Sequence, residues 1–98
     1  MERGHAFMIR LCSDRASYEA LPRRRLKIDL AKLRRDFQLA GKYEVTLWTR
    51  QLMVIKRNDA IEITIVDDGR MIIRNVLDEE TARGIAETLL PELTAGEH

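Results

Sequence analysis

Few side chains in this chain are typed and spaced for chemistry, and its single thiol is the first to weigh. Cys12 lies two residues after Arg10 and three before Arg15, and nearby cations lower a thiol's pKa towards the reactive thiolate. Such a thiol could carry a persulfide or an acyl group; a structural cysteine on a strand is the plainer reading. One cysteine forms no internal disulfide, and without Cys or His partners at ligand spacing it builds no zinc site. His5 and His98 stand near the two ends, where neither is expected to be held firmly enough to orient a proton or a metal. Asp67 and Asp68 precede Gly69, but a Ca²⁺ loop needs several more oxygen ligands at regular spacing. Turn chemistry accounts for the pair, and no metal or cofactor is expected.

Charge offers a second kind of chemistry. The net charge is only +1, yet residues 1–49 hold 11 Lys/Arg against 6 Asp/Glu, while residues 50–98 hold 6 against 10. The basic half is concentrated in Arg23, Arg24, Arg25, Lys27, Lys32, Arg34 and Arg35, which could hold a phosphate backbone or an acidic protein tail. A solvated linker and helix face is the plainer reading of the same residues.

The elements that would position these groups fit one domain over residues 1–98, because 98 residues support a single hydrophobic core. A content of 45% hydrophobic and 34% charged residues is that of an ordinary globule, and no apolar run approaches the roughly 20 residues that span a bilayer. The opening apolar stretch runs into charged residues without a small-residue cleavage site, so the expected compartment is the cytoplasm. Phe7, Ile9 and Leu11 alternate with Met8, Arg10 and Cys12, the period of a strand. Residues 13–25 lose that period and read as a connector, free to move. Leu30, Leu33, Phe37 and Ala40 then recur at helical spacing, with Asp29 as N-cap and Gly41 as left-handed stop.

Four β-rich runs follow, Tyr43–Thr49, Leu52–Arg57, Ala60–Val66 and Met71–Val76. Arg50-Gln51 and Asn58-Asp59 have the length of two-residue hairpin turns, and Asp67-Asp68-Gly69 that of a three-residue loop with Gly69 left-handed. This register places Leu47, Val54 and Ile63 abreast, and Thr49, Leu52 and Ile65 abreast, on one core face. Ile73 and Met71 join the same face. The final helix opens at Asp78, carries Ala82, Ile85, Ala86 and Leu89 inward, and is expected to end at Pro91, leaving residues 94–98 as a frayed tail. The expected architecture is α+β: a strand, a helix, a four-strand antiparallel meander and a helix, with both helices on one sheet face.

The other sheet face then receives Trp48, Met53, Ile55, Val66 and Ile72, with Thr46 and Thr64 among them. It is too apolar for open solvent, which predicts a buried interface with another protein or a second subunit. The alternative is that the basic connector folds back over it.

Several segments carry a family resemblance. Leu11-Cys12-Ser13-Asp14-Arg15, Ile28-Asp29-Leu30 with Gly41, the run Ile63–Ile73 around Asp67-Asp68-Gly69-Arg70, and Asp78–Arg83 resemble the C-terminal extension of the ThiF/MoeB/HesA adenylyltransferases, which activate ubiquitin-like sulfur-carrier proteins. The Asp-Gly-Arg-type turn followed by an acidic helix start also resembles one repeat of the TATA-box-binding protein. Both resemblances imply the same curved-sheet fold. The first implies an adenylyltransferase or a sulfur-carrier protein as partner. The second implies contact with a DNA minor groove, which Glu44 and Glu62 on that face oppose. The chain has no G-x-G-x-x-G and no paired C-x-x-C, so the family's ATP chemistry is not expected here. The leading reading is a non-catalytic interaction or homodimerisation domain accessory to sulfur-carrier activation. The alternatives are a nucleic-acid module using the basic 23–35 segment and, third, a sulfur carrier through Cys12.

Overall fold

The computed structural model describes residues 6–12, 17–57, 60–95 and 97. His5, His98, Arg15 and the Asn58-Asp59 turn lie outside the described residues. The alternation at the start forms strand β1 (Phe7–Leu11), with Phe7 and Ile9 buried. A second strand, β2 (Ser17–Pro22), forms where the sequence reads as a connector. It runs antiparallel to β1, setting Ala20 beside Ile9 and Glu19 beside Arg10. Helix α1 (Leu30–Ala40) begins as expected: Asp29 is extended, and its carboxylate accepts the Lys32 N–H at 3.2 Å. The helix ends at Gly41, whose φ of 66° lets its N–H donate to the Phe37 carbonyl at 3.0 Å.

Strands β3 (Glu44–Trp48), β4 (Leu52–Lys56), β5 (Glu62–Val66) and β6 (Met71–Arg74) form the expected meander. β2 inserts against β6, giving a six-stranded antiparallel sheet in the order β1-β2-β6-β5-β4-β3. Helix α2 (Glu79–Ala95) follows, and Asp78 accepts the Thr81 N–H at 2.8 Å. Hydrogen bonds from the Thr81 backbone and side chain hold the Asp78 carboxyl below its usual range. Both helices lie on one face, α2 over β1 and β2 and α1 over β3 and β4. The core between helices and sheet is filled by Phe7, Phe37, Leu33, Ile63, Ile65, Met71, Ile73, Leu89 and Leu93. Phe37 also meets Tyr43 in a tilted ring pair with centroids 4.9 Å apart.

Two turns match the sequence reading and one register does not. Thr49 N–H donates to the Leu52 carbonyl, and Leu47 faces Val54 as expected, with a bulge between Val45 and Leu47. The β5–β6 loop sets Ile63 against Ile73 and Ile65 against Met71. Between β4 and β5, Arg57 N–H donates to the Ile61 carbonyl, so three residues, not two, separate the paired ends. That one extra residue pairs Met53 with Ile65 and Ile55 with Ile63. Because side chains alternate with period two, the slip turns β4 over relative to expectation.

The last helix also outruns its reading. Pro91 sits inside α2, and the chain stays helical to Ala95. Glu97 then bridges to Ile28, and its carboxylate accepts from Arg24 Nη1 and Nη2 at 2.8 and 3.1 Å. Arg24 thereby holds the Glu97 carboxyl below the usual range. The segment expected to fray is tied to the start of α1.

Gly69 shows how tightly the β5–β6 loop is built. Its φ is 97°, and a Cβ there would lie 2.8 Å from Leu26 Cδ1. The Leu26 N–H meanwhile donates to the Asp68 carbonyl at 3.0 Å, which fixes the opposing segment. Gly69→Ala is therefore expected to cost about 1–3 kcal/mol, through backbone strain and overpacking together. Chemical denaturation of the two proteins checks this, and an unchanged midpoint would contradict it.

Candidate interaction face

Among the described residues, no helix lies on the sheet's second face. Its side chains are read strand by strand from the pairing registers. Met8 faces Leu21 on β1 and β2, and Leu52 faces Val66 on β4 and β5. The middle row runs Arg10, Glu19, Ile72, Thr64, Val54, Leu47 from β1 to β3. Next along the strands, Arg74, Glu62, Lys56 and Glu44 form a row across β6, β5, β4 and β3. The face is therefore an apolar field bordered on one side by alternating charges. Its apolar members are half-buried or open, Leu47 being 52% and Met8 53% exposed. On the helix side of the same strands, Ile55, Ile63 and Ile73 are wholly buried. An ion pair of 2.6 Å between Arg10 and Glu19 closes the β1–β2 end of the middle row.

Of the residues expected on this face, Val66 and Ile72 lie there and three do not. Met53 and Ile55 are fully buried beneath the helices, because the β4 register differs by one residue from the two-residue turn assumed for Asn58-Asp59. Trp48 pairs with Met53 and so points to the helix side, where the Arg34 guanidinium stacks 5.0 Å from its ring centroid. The residues the sequence reading missed are Leu47, Leu52 and Val54, which it assigned to the core, and Met8 and Leu21 from the first hairpin. For Leu52 and Val54 the only signal is the apolar run Leu52-Met53-Val54-Ile55, which makes both sides of the strand hydrophobic without saying which side meets the helices.

The basic set is partly spoken for. Arg24 is held by Glu97, Lys32 meets Asp36 at 3.0 Å, and Arg34 covers Trp48. Arg23, Arg25, Lys27 and Arg35 are exposed. Cys12 is half-buried, and its N–H donates to the Ser17 carbonyl at 3.0 Å. The neighbouring Arg10 is committed to Glu19, whose hydrogen bond and charge raise the pKa of the guanidinium above its ordinary value. Asp68 accepts from the Arg70 backbone and side chain, the turn role expected of it. Among the described residues no group of three or more His, Cys, Asp or Glu is arranged to hold a metal ion.

A solvent-open groove of about 860 Å³ lies beyond the α1 C-terminus, between Tyr43, Arg57 and Ile61 on one side and Thr81, Ile85 and Thr88 of α2 on the other. Burial pushes the Tyr43 phenol up, with Glu92 adding to the shift and Arg57 opposing it. Lys42 at its rim lies 3.9 Å from Glu92.

Fold and site together define an α+β domain with a two-helix layer and one uncovered antiparallel sheet face. No known protein family, curated protein or solved structure matches the chain. Among the described residues, no helix is long and apolar enough to cross a membrane.

Proposed function

We propose that this chain is a protein-interaction domain that works through the open face of its sheet. The observation that carries this reading is the apolar field of Leu47, Leu52, Val54, Val66 and Ile72, left without a covering layer among the described residues, while the helix side of β4, β5 and β6 is packed with Met53, Ile55, Ile63, Ile65, Met71 and Ile73. An antiparallel sheet that merely faces water alternates apolar and polar side chains cleanly. Here β4 is apolar on both sides. Burying the second side against a partner removes that surface from water at about 25 cal/mol per Å². The charges at the border supply orientation, as the polar rim of an interface does. The sequence resemblance to the adenylyltransferase extension makes a sulfur-carrier protein or its activating enzyme the first candidates to assay.

The test compares Val54→Glu with Leu39→Glu, since Leu39 is 87% exposed on α1, away from this face. Each is immobilised beside the wild type and assayed for association with itself and with candidate partners. Val54→Glu should lose association and Leu39→Glu should retain it. Equal retention by both variants would reject the face.

A further inference from the structure

We infer that the occupant of the open face is a second copy of this chain, docked about a two-fold axis that runs parallel to the strands between β4 and β5. This rests on the face proposed above and goes further by naming the partner and the register.

The argument comes from the order of charges. Across β6, β5, β4 and β3 the border row reads Arg74, Glu62, Lys56, Glu44, that is plus, minus, plus, minus. A row of that kind, reversed upon itself, meets its own complement at every position. A two-fold axis parallel to the strands does this: it keeps each residue's height along the strand and reverses the strand order. Lys56 then faces Glu62 of the other copy, twice by symmetry, and Arg74 faces Glu44. The same operation brings Val54 over Thr64 and Ile72 over Leu47 in the middle row. An axis perpendicular to the strands would instead lay the charged row over Leu52 and Val66 and bury charges against apolar surface. The charges therefore choose between the two ways of stacking the sheets.

The overlap also has a natural limit. Four strands about 4.8 Å apart, three of five residues and one of four, with a rise of about 3.4 Å per residue, make a patch of at most roughly 19 by 17 Å. β1 and β2 fall outside it, and the ion pair of Arg10 with Glu19 satisfies the charges there internally. Such a patch is smaller than the roughly 800 Å² per partner of a standard stable complex. The dimer is accordingly weak and dissociates on dilution.

Sedimentation of the purified full chain from about 10 μM to about 1 mM should show mass rising from monomer to dimer. Lys56→Glu sets Glu against Glu62 of the second copy, and Glu62→Lys sets Lys against Lys56. Each variant alone should weaken dimerisation at least about tenfold. An equimolar mixture of the two should recover the dimer, because both cross-copy pairs are then opposite in charge. The double variant K56E/E62K restores opposite charges between positions 56 and 62, within the sheet and between copies, while setting like charges beside Arg74 and Glu44. It should dimerise like the wild type, and circular dichroism of all four proteins separates misfolding from a lost contact. A wild type that stays monomeric throughout, or a mixture no tighter than its components, overturns the inference. A monomeric wild type with Val54→Glu still losing another partner would overturn the dimer and leave the interaction face standing. A dimer that survives Val54→Glu would overturn both.

Discussion

Met53→Ala lowers the unfolding free energy by about 2–4 kcal/mol, while Val54→Ala, one residue along, costs under about 1 kcal/mol. The contrast follows from the β4 register. Met53 is wholly buried between Trp48 and Ile65, its neighbours on β3 and β5. Truncating it empties volume in a packed core that relaxes only in part. Val54 lies between Leu47 and Thr64 on the uncovered face and keeps some contact with solvent, so its truncation leaves no closed cavity. Urea denaturation at low protein concentration, with the slopes compared as well as the midpoints, measures both. The opposite ranking would show that the register runs as the two-residue Asn58-Asp59 turn requires.

That register is also the clearest limit on what the sequence revealed. Where a local residue dictates the backbone, the reading and the structure agree. Asp29 caps α1, Gly41 stops it, and Gly69 takes the positive φ that sets Ile63 against Ile73. After β4 the sequence offers Asn58-Asp59, a pair suited to a two-residue turn. Among the described residues of that connection, Ala60 has a positive φ of 71°, in a residue type with no preference for that conformation. The Asn75 side chain, fifteen positions away, donates to the Ala60 carbonyl at 3.0 Å. Nor could hydrophobic alternation correct the choice, since Leu52-Met53-Val54-Ile55 is apolar throughout and fits the core in either register.

β2 was hidden for a related reason. Its inward side is Tyr18 and Ala20, its outward side Glu19 and Leu21, and it ends in Pro22. Neither side is strongly apolar in the chain alone. Its strand character comes from its partners: Ile9 and Met71 flank Ala20, while Arg10 and Ile72 flank Glu19. With β2 in place, the sheet widens to six strands, and α2 has β1 and β2 to cover. The candidate face was thus legible as a property, an apolar second side to the meander. Its membership on β3 and β4 was not, because membership depends on parity, and parity depends on the length of the β4–β5 connection.

Pro91→Ala raises stability by about 1–3 kcal/mol, and Leu93→Ala lowers it by about 2–4 kcal/mol. Proline lacks the N–H that would continue the helix ladder, and its ring crowds the carbonyl four residues back. From sequence alone this reads as a stop. The structure carries α2 through it because the last turn has an anchor beyond the proline: Leu89 and Leu93, four residues apart, are both fully buried. The Thr94 hydroxyl also donates to the Leu90 and Pro91 carbonyls at 3.0 and 3.1 Å. Burial of Leu93 thus outweighs the local preference of an exposed proline, so removing the proline relieves a strain that brings no packing in return. Thermal unfolding of the two variants decides the matter. If Leu93→Ala were neutral and Pro91→Ala destabilising, α2 would end where the proline stands, and the tie of Glu97 to Arg24 would lose its support.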